Sequence, residues 1–166
     1  DGVKQIADYL TQHQSVEAIH IISHGSSGSL QLGTGSLTLN SMTQQYSVEM
    51  AVIKQALTEQ ADILIYGCDF AKGQVGQEAA ILLGELAGAE VAASNNVTGH
   101  INLGGDWDLE VMIGTIETQV AVSEDTQANW KGLLAETWMN ASTGAVIAGP
   151  AGNDWYVGDS ANKAPT

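Results

Sequence analysis

Two apolar runs punctuate the first half of the chain. Ala18-Ile19-His20-Ile21-Ile22 leads into Ser23-His24-Gly25, and Ala61-Asp62-Ile63-Leu64-Ile65-Tyr66 leads into Gly67-Cys68. Both are short, rich in Ile, preceded by helical spacing and closed by glycine, which is the pattern of parallel strands buried beneath helices. Val3, Ile6, Ala7 and Leu10 predict an amphipathic helix over Val3 to His13, with Asp1 as its N-cap. Met42, Tyr46, Met50, Ile53 and Leu57 predict a second helix from Asn40 or Ser41 to about Thr58. That helix completes a βαβ crossover, and a right-handed crossover opens both strand ends on one edge of the sheet.

Between these strands, Leu30-Gln31-Leu32-Gly33 and Ser36-Leu37-Thr38-Leu39 alternate about a Gly-Thr-Gly turn and predict a small hairpin beside the His24 strand end. After Cys68 come a helix over roughly Gln77 to Ala87, stopped by Gly88, and a strand over Glu90 to Ser94. One or two further strands are expected within residues 109–122, and a helical turn over Glu124 to Trp130. From Ala135 the pattern is lost. Residues 1–134 therefore read as one α/β domain with a mainly parallel central sheet, and 135–166 as a linker or the start of another domain.

Composition narrows the partners. The 166 residues, 44% hydrophobic, suffice for one sizeable core, and no run of 18 apolar residues provides for membrane insertion. Nineteen acidic residues face five lysines and no arginine, giving a net charge of −14. Nucleic acid and anionic membrane surfaces are poor partners, and a bidentate guanidinium clamp on a carboxylate is excluded. The single cysteine rules out an internal disulfide. His13, His20, His24 and His100 lack zinc-site spacing with it. The immediate helical start at Asp1, without a signal sequence, reads as a segment of a longer polypeptide, with strands expected before Asp1.

The chemistry resides at the strand ends, because ligands of open α/β sheets bind in the crevice outside the carboxyl ends of the strands. A cysteine nucleophile needs an imidazole or a helix N-terminus to favour its thiolate. His24 can accept the Cys68 proton and return it to a leaving amine. Gly25 and Gly67 let backbone approach a substrate, and the N–H groups of Gly25 and Cys68 are the candidate oxyanion donors. Taken singly, a strand-end Cys is most often a small core hydrophobe and a lone His a satisfied polar group. The pairing of His-Gly with Gly-Cys argues for the dyad. A serine hydrolase is disfavoured, since no Gly-x-Ser-x-Gly follows a strand.

Ile19-His20-Ile21-Ile22-Ser23-His24-Gly25-Ser26, Ile63-Leu64-Ile65-Tyr66-Gly67-Cys68-Asp69 and Leu103-Gly104-Gly105-Asp106-Trp107-Asp108-Leu109-Glu110 together resemble DUF4347 over about Asp1 to Leu134. That domain is found near the start of very large bacterial surface proteins with cadherin-like, adhesin or RTX repeats. The His-Gly and Gly-Cys ends are also similar to the caspase-like cysteine peptidases. The resemblance implies a caspase-like three-layer sandwich whose first strand precedes Asp1, with His24 catalytic, Cys68 nucleophilic and Gly25 at the oxyanion. It implies a secreted or cell-surface bacterial location.

On this reading the substrate is a polypeptide, the chain itself, cut near the domain border at Lys131-Gly132 or Leu134-Ala135. Asp69, Asp106 and Asp108 are candidates to favour a basic P1 residue; the competing reading makes these acids a solvated loop or calcium ligands, and an apolar pocket would instead select leucine. No cofactor is required for the chemistry. Calcium is expected only as a structural or activating ion, with no metal ligand assigned; Gly149-Pro150-Ala151-Gly152-Asn153-Asp154-Trp155-Tyr156 resembles a single imperfect RTX nonapeptide. The rival function is a non-catalytic structural module of a calcium-dependent adhesin.

Overall fold

A computed structural model describes residues 1–134, together with the backbone of two short strands, Thr137–Met139 and Val146–Ala148, that pair antiparallel. The expected linker and the RTX-like stretch otherwise lie outside the described residues. Helix α1 (Gly2–Leu10) begins where the Asp1 carboxylate accepts the Val3 and Lys4 N–H groups. It stops three residues short of the predicted His13, because the side chains of His13 and Gln14 turn back onto the carbonyls of Tyr9 and Leu10. Ser15, at φ 59°, then turns the chain into β1 (Val16–Ile21).

The predicted hairpin is present and larger. Strands β2 (Gly25–Ser26), β3 (Ser29–Leu32) and β4 (Gly35–Thr38) form a three-stranded antiparallel sheet directly after His24. The single helix predicted from Asn40 to Thr58 is instead two, α2 (Leu39–Thr43) and α3 (Ser47–Ala56). Thr38 and Ser41 close a capping box on α2, and the break after it sends the Tyr46 hydroxyl to the Asp1 carboxylate at 2.8 Å. Leu57, placed by periodicity on the helix stripe, opens β5 (Leu57–Ile65) and pairs with Val16. Strand pairing overrides helical spacing there.

Helix α4 (Gly73–Ala87) starts earlier than Gln77 and ends at Gly88 in the left-handed region. Strand β6 (Glu90–Ala93) follows, then β7 (Val111–Ile113), which is the one strand formed within 109–122, and α5 (Glu124–Asn129). The central sheet has the order β1-β5-β6-β7, parallel except for β7.

Stepping in one direction with crossovers of one hand sets successive helices on the same face, and α1, α3 and α4 pack there as one layer. Ile63, Ile65, Val91 and Ala93 point into it, against Val3, Met50, Ile53 and Leu83. The opposite face is covered by the chain from Ser94 to Leu134, through Trp107, Leu109, Ile116, Val122, Trp130 and Leu134. The result is the expected three-layer α/β sandwich with a mainly parallel central sheet, its second cover mostly loop.

Candidate active site

Alternation along β5 gives one face Ile63 and Ile65 and the other Asp62 and Leu64, with Tyr66 and Cys68 continuing the second set beyond the strand. Ala18 pairs with Asp62 and Ile21 with Ile65, an offset of 44 that also separates His24 from Cys68. The two residues therefore leave the sheet side by side. Gly25 fixes their closeness: a Cβ on it would lie 2.8 Å from the Cys68 carbonyl oxygen and 2.9 Å from the Gly67 carbonyl carbon. Only glycine admits that contact without a backbone shift. The Gln31 N–H donates to the His24 carbonyl at 3.0 Å, which makes Gly25–Leu30 the non-hydrogen-bonded pair of the β2–β3 ladder. The Gly25 N–H consequently points away from β3.

Cys68 is 1% exposed, and its sulfur is held by Thr98: the Thr98 N–H donates to Sγ at 3.2 Å, and the Thr98 carbonyl lies 3.7 Å from it. Burial pushes the Cys68 thiol above its ordinary range, the Thr98 N–H opposes this, and the charge of Asp69 adds to the rise. Asp69 itself turns the chain at φ 58°. Its carboxylate pairs with Lys72 at 2.9 Å, and its N–H donates to the Asn96 carbonyl at 2.7 Å.

The same Thr98 carbonyl accepts the Leu134 N–H at 2.9 Å, and the His100 N–H donates to the Gly132 carbonyl at 2.9 Å, so residues 132–134 run antiparallel to 98–100 as an added strand. The Leu134 carbonyl takes the third contact, from His24 Nδ1 at 2.8 Å. Its side chain is buried among Cys68, Tyr66, Leu64, Trp107 and Leu109. Lys131, by contrast, is exposed. Of the two predicted cleavage positions, Leu134 is the one whose side chain fills a pocket beside both predicted catalytic residues.

The wall of that pocket is fixed by polar contacts that the sequence did not announce. The Tyr66 hydroxyl meets His20 Nδ1 at 3.1 Å and accepts the Ala121 N–H at 3.0 Å. Burial raises Tyr66 above its ordinary value and lowers His20 below its own, the charge of Asp62 opposing the second shift. Trp107 stands edge to face with Trp130, ring centroids 5.5 Å apart.

Asp106 and Asp108, predicted to favour a basic residue, lie in the loop before β7. Asn96 donates to one Asp106 oxygen at 2.9 Å and the Asp108 N–H to the other at 3.0 Å, while Asp108 is exposed. Asn96 also donates to Glu110. Asp106 thus ties the 94–110 loop together. Thr98 and the His20–Tyr66 pair were missed because their roles come from residues far away in sequence. The one local signal was a buried tyrosine between two apolar residues and Gly67-Cys68.

The family model for a domain of unknown function, DUF4347, matches residues 1–134. The chain belongs to the DUF4347 family. The matched region ends at Leu134, the residue that returns to the His24 and Cys68 strand ends of this DUF4347 domain. No curated protein and no solved structure matches the chain. Among the described residues no helix is long and apolar enough to cross a membrane.

Proposed function

We propose that this DUF4347 domain is a caspase-like cysteine endopeptidase that cuts its own chain between Leu134 and Ala135. The observation that carries the reading is the seating of residues 132–134: an added strand on 98–100, a leucine side chain in an apolar pocket that includes Cys68, and its carbonyl on His24 Nδ1 at 2.8 Å. A peptidase holds the residue before the scissile bond in this manner, with the main chain extended and the carbonyl oxygen on a donor.

In the reaction Cys68 gives its proton to His24 and the sulfur attacks the Leu134 carbonyl carbon. The N–H groups of Gly25 and Cys68 are the donors for the oxyanion that forms. Collapse breaks the Leu134–Ala135 C–N bond, His24 delivers the proton to the Ala135 amine, and water then hydrolyses the thioester to free Cys68. Burial holds the Cys68 thiol above its ordinary range, so the attacking thiolate needs a proton acceptor, the role this reading gives His24. The apolar pocket favours leucine over a basic P1, and Asp69 and Asp106 are already engaged by Lys72 and Asn96. A secreted bacterial surface protein, as the resemblance implies, is where such self-processing would operate.

A second reading rests on the Cys68 environment. A thiol this buried, held by Thr98 on both sides, also suits a structural cysteine in a non-catalytic adhesin module. Intact-mass analysis of the 166-residue chain, incubated in reducing buffer at neutral pH with and without calcium, separates the two. The peptidase reading expects one cut after Leu134 in the wild type, none in Cys68→Ala, and about 10²–10⁴-fold slower cutting in His24→Ala. A wild-type chain that stays whole in every condition, or a cut that persists in Cys68→Ala, overturns it.

A further inference from the structure

On the same face of the sheet as Tyr66 and Cys68, three carboxylates converge. Asp62 and Glu90 are direct partners across β5 and β6. Glu90 is held beneath Gly114, where a Cβ would meet its carboxyl group at 2.7 Å. The chain then brings Glu117 back over Asp62, and one carboxylate oxygen from each of the three residues lies within 4.8 Å of the others.

An independent observation concerns Asp62 itself, which is 1% exposed. Its Oδ2 accepts the Glu117 and Thr118 N–H groups at 3.2 and 2.9 Å, whereas its Oδ1 is buried with no hydrogen-bond partner. A buried carboxylate oxygen without a donor is expensive, and two further carboxylates beside it add repulsion. Among the described residues the ion pair present joins Lys72 to Asp69, so no ammonium neutralises this cluster.

We propose that Asp62, Glu90 and Glu117 bind a calcium ion, with Asp62 Oδ1 as the innermost ligand. Calcium takes about six to eight oxygen ligands at about 2.3–2.6 Å in a flexible geometry and accepts several carboxylates at once, whereas magnesium keeps most of its waters and is usually held by one or two carboxylates. The cluster grades from buried Asp62 through half-buried Glu90 to exposed Glu117. That opening gives the ion a path of entry and leaves room for water to complete its coordination. The bound ion supplies the partner that Oδ1 lacks and pins the Gly114–Thr118 turn to β5 and β6. This site stands independently of the peptidase reading.

The test is calorimetric titration of the metal-stripped 166-residue chain with calcium chloride and, separately, magnesium chloride, with melting curves alongside. The proposal expects one calcium per chain at about 10⁻⁴ M or tighter. It expects a melting midpoint raised by about 5 °C or more at a hundredfold excess over Kd. Affinity should fall at least about tenfold in Asp62→Asn, Glu90→Gln and Glu117→Gln and hold in Asp108→Asn. Should Asp62→Asn fail to fold, the two glutamate variants decide. Absence of calcium binding at millimolar concentration, magnesium binding as tight as calcium, or unchanged affinity in both glutamate variants overturns the proposal.

Discussion

The two faces of the central sheet are built from the same strands and differ in almost everything else. Under the helices, Ile63, Ile65, Val91 and Ala93 meet an apolar layer from α1, α3 and α4. On the other face, Asp62, Tyr66 and Cys68 are buried beneath a cover that includes Thr98 and Leu134. Buried polar atoms without hydrogen-bond partners gather on this second face too, at Asp62 Oδ1, Thr98 Oγ1 and Trp107 Nε1. A helix layer satisfies its own backbone and presents hydrocarbon, so the first face is a stabilising core. A loop layer brings backbone N–H groups, carboxylates and a return strand, so the second can hold chemistry.

This contrast can be broken from either side. The largest effect is expected on the helix face: Ile63→Ala removes a buried side chain and lowers stability by about 2–5 kcal/mol. Thermal unfolding should register that loss, while the cleavage position stays at Leu134 well below the transition. On the loop face, Leu134→Lys places an ammonium in the apolar pocket and should slow cutting about a hundredfold or more, equivalent to about 2.7 kcal/mol, with circular dichroism unchanged. Equal loss of fold in both variants would erase the distinction.

Smaller effects sharpen it. Gly25→Ala forces the β2 backbone off the Gly67–Cys68 peptide; self-cleavage followed by intact mass should slow about tenfold, since a displacement of under 1 Å at a reacting centre suffices. The Cys68 thiol is raised by burial, so the fold favours its protonated form. The stability gained from that preference is present below the ordinary cysteine range, near pH 8.5, and is lost as pH rises through the folded-state value. The melting midpoint of the wild type should therefore drop relative to Cys68→Ala between about pH 8 and pH 10. A flat difference would place Cys68 in a wetter site. Lys131 is exposed, and Lys131→Ala should leave the cleavage rate within about twofold; a larger loss would return the Lys131-Gly132 bond to consideration.

Legibility followed the range of the interactions. The Ile-rich runs, the Asp1 cap, the Gly88 stop and the hairpin after His24 are local signals, and each has its counterpart in the structure. The split between α2 and α3 was hidden because Tyr46 keeps helical spacing while its hydroxyl is spent on Asp1. Leu57 likewise fits a helix stripe and is claimed by Val16.

The sequence by itself determined that two parallel strands lead into His24-Gly25 and Gly67-Cys68, because apolar runs and glycine punctuation are written in consecutive residues. It also determined that nothing basic enough for nucleic acid is present. Only the tertiary structure decided which of two candidate bonds approaches those strand ends, and that Asp62, Glu90 and Glu117 share one place. Both outcomes depend on contacts between positions 27 to 110 residues apart, between Leu134 and His24 or between Glu117 and Glu90. No hydrophobic period records such contacts; they exist only once the sheet has set its register and the loop has closed over one face.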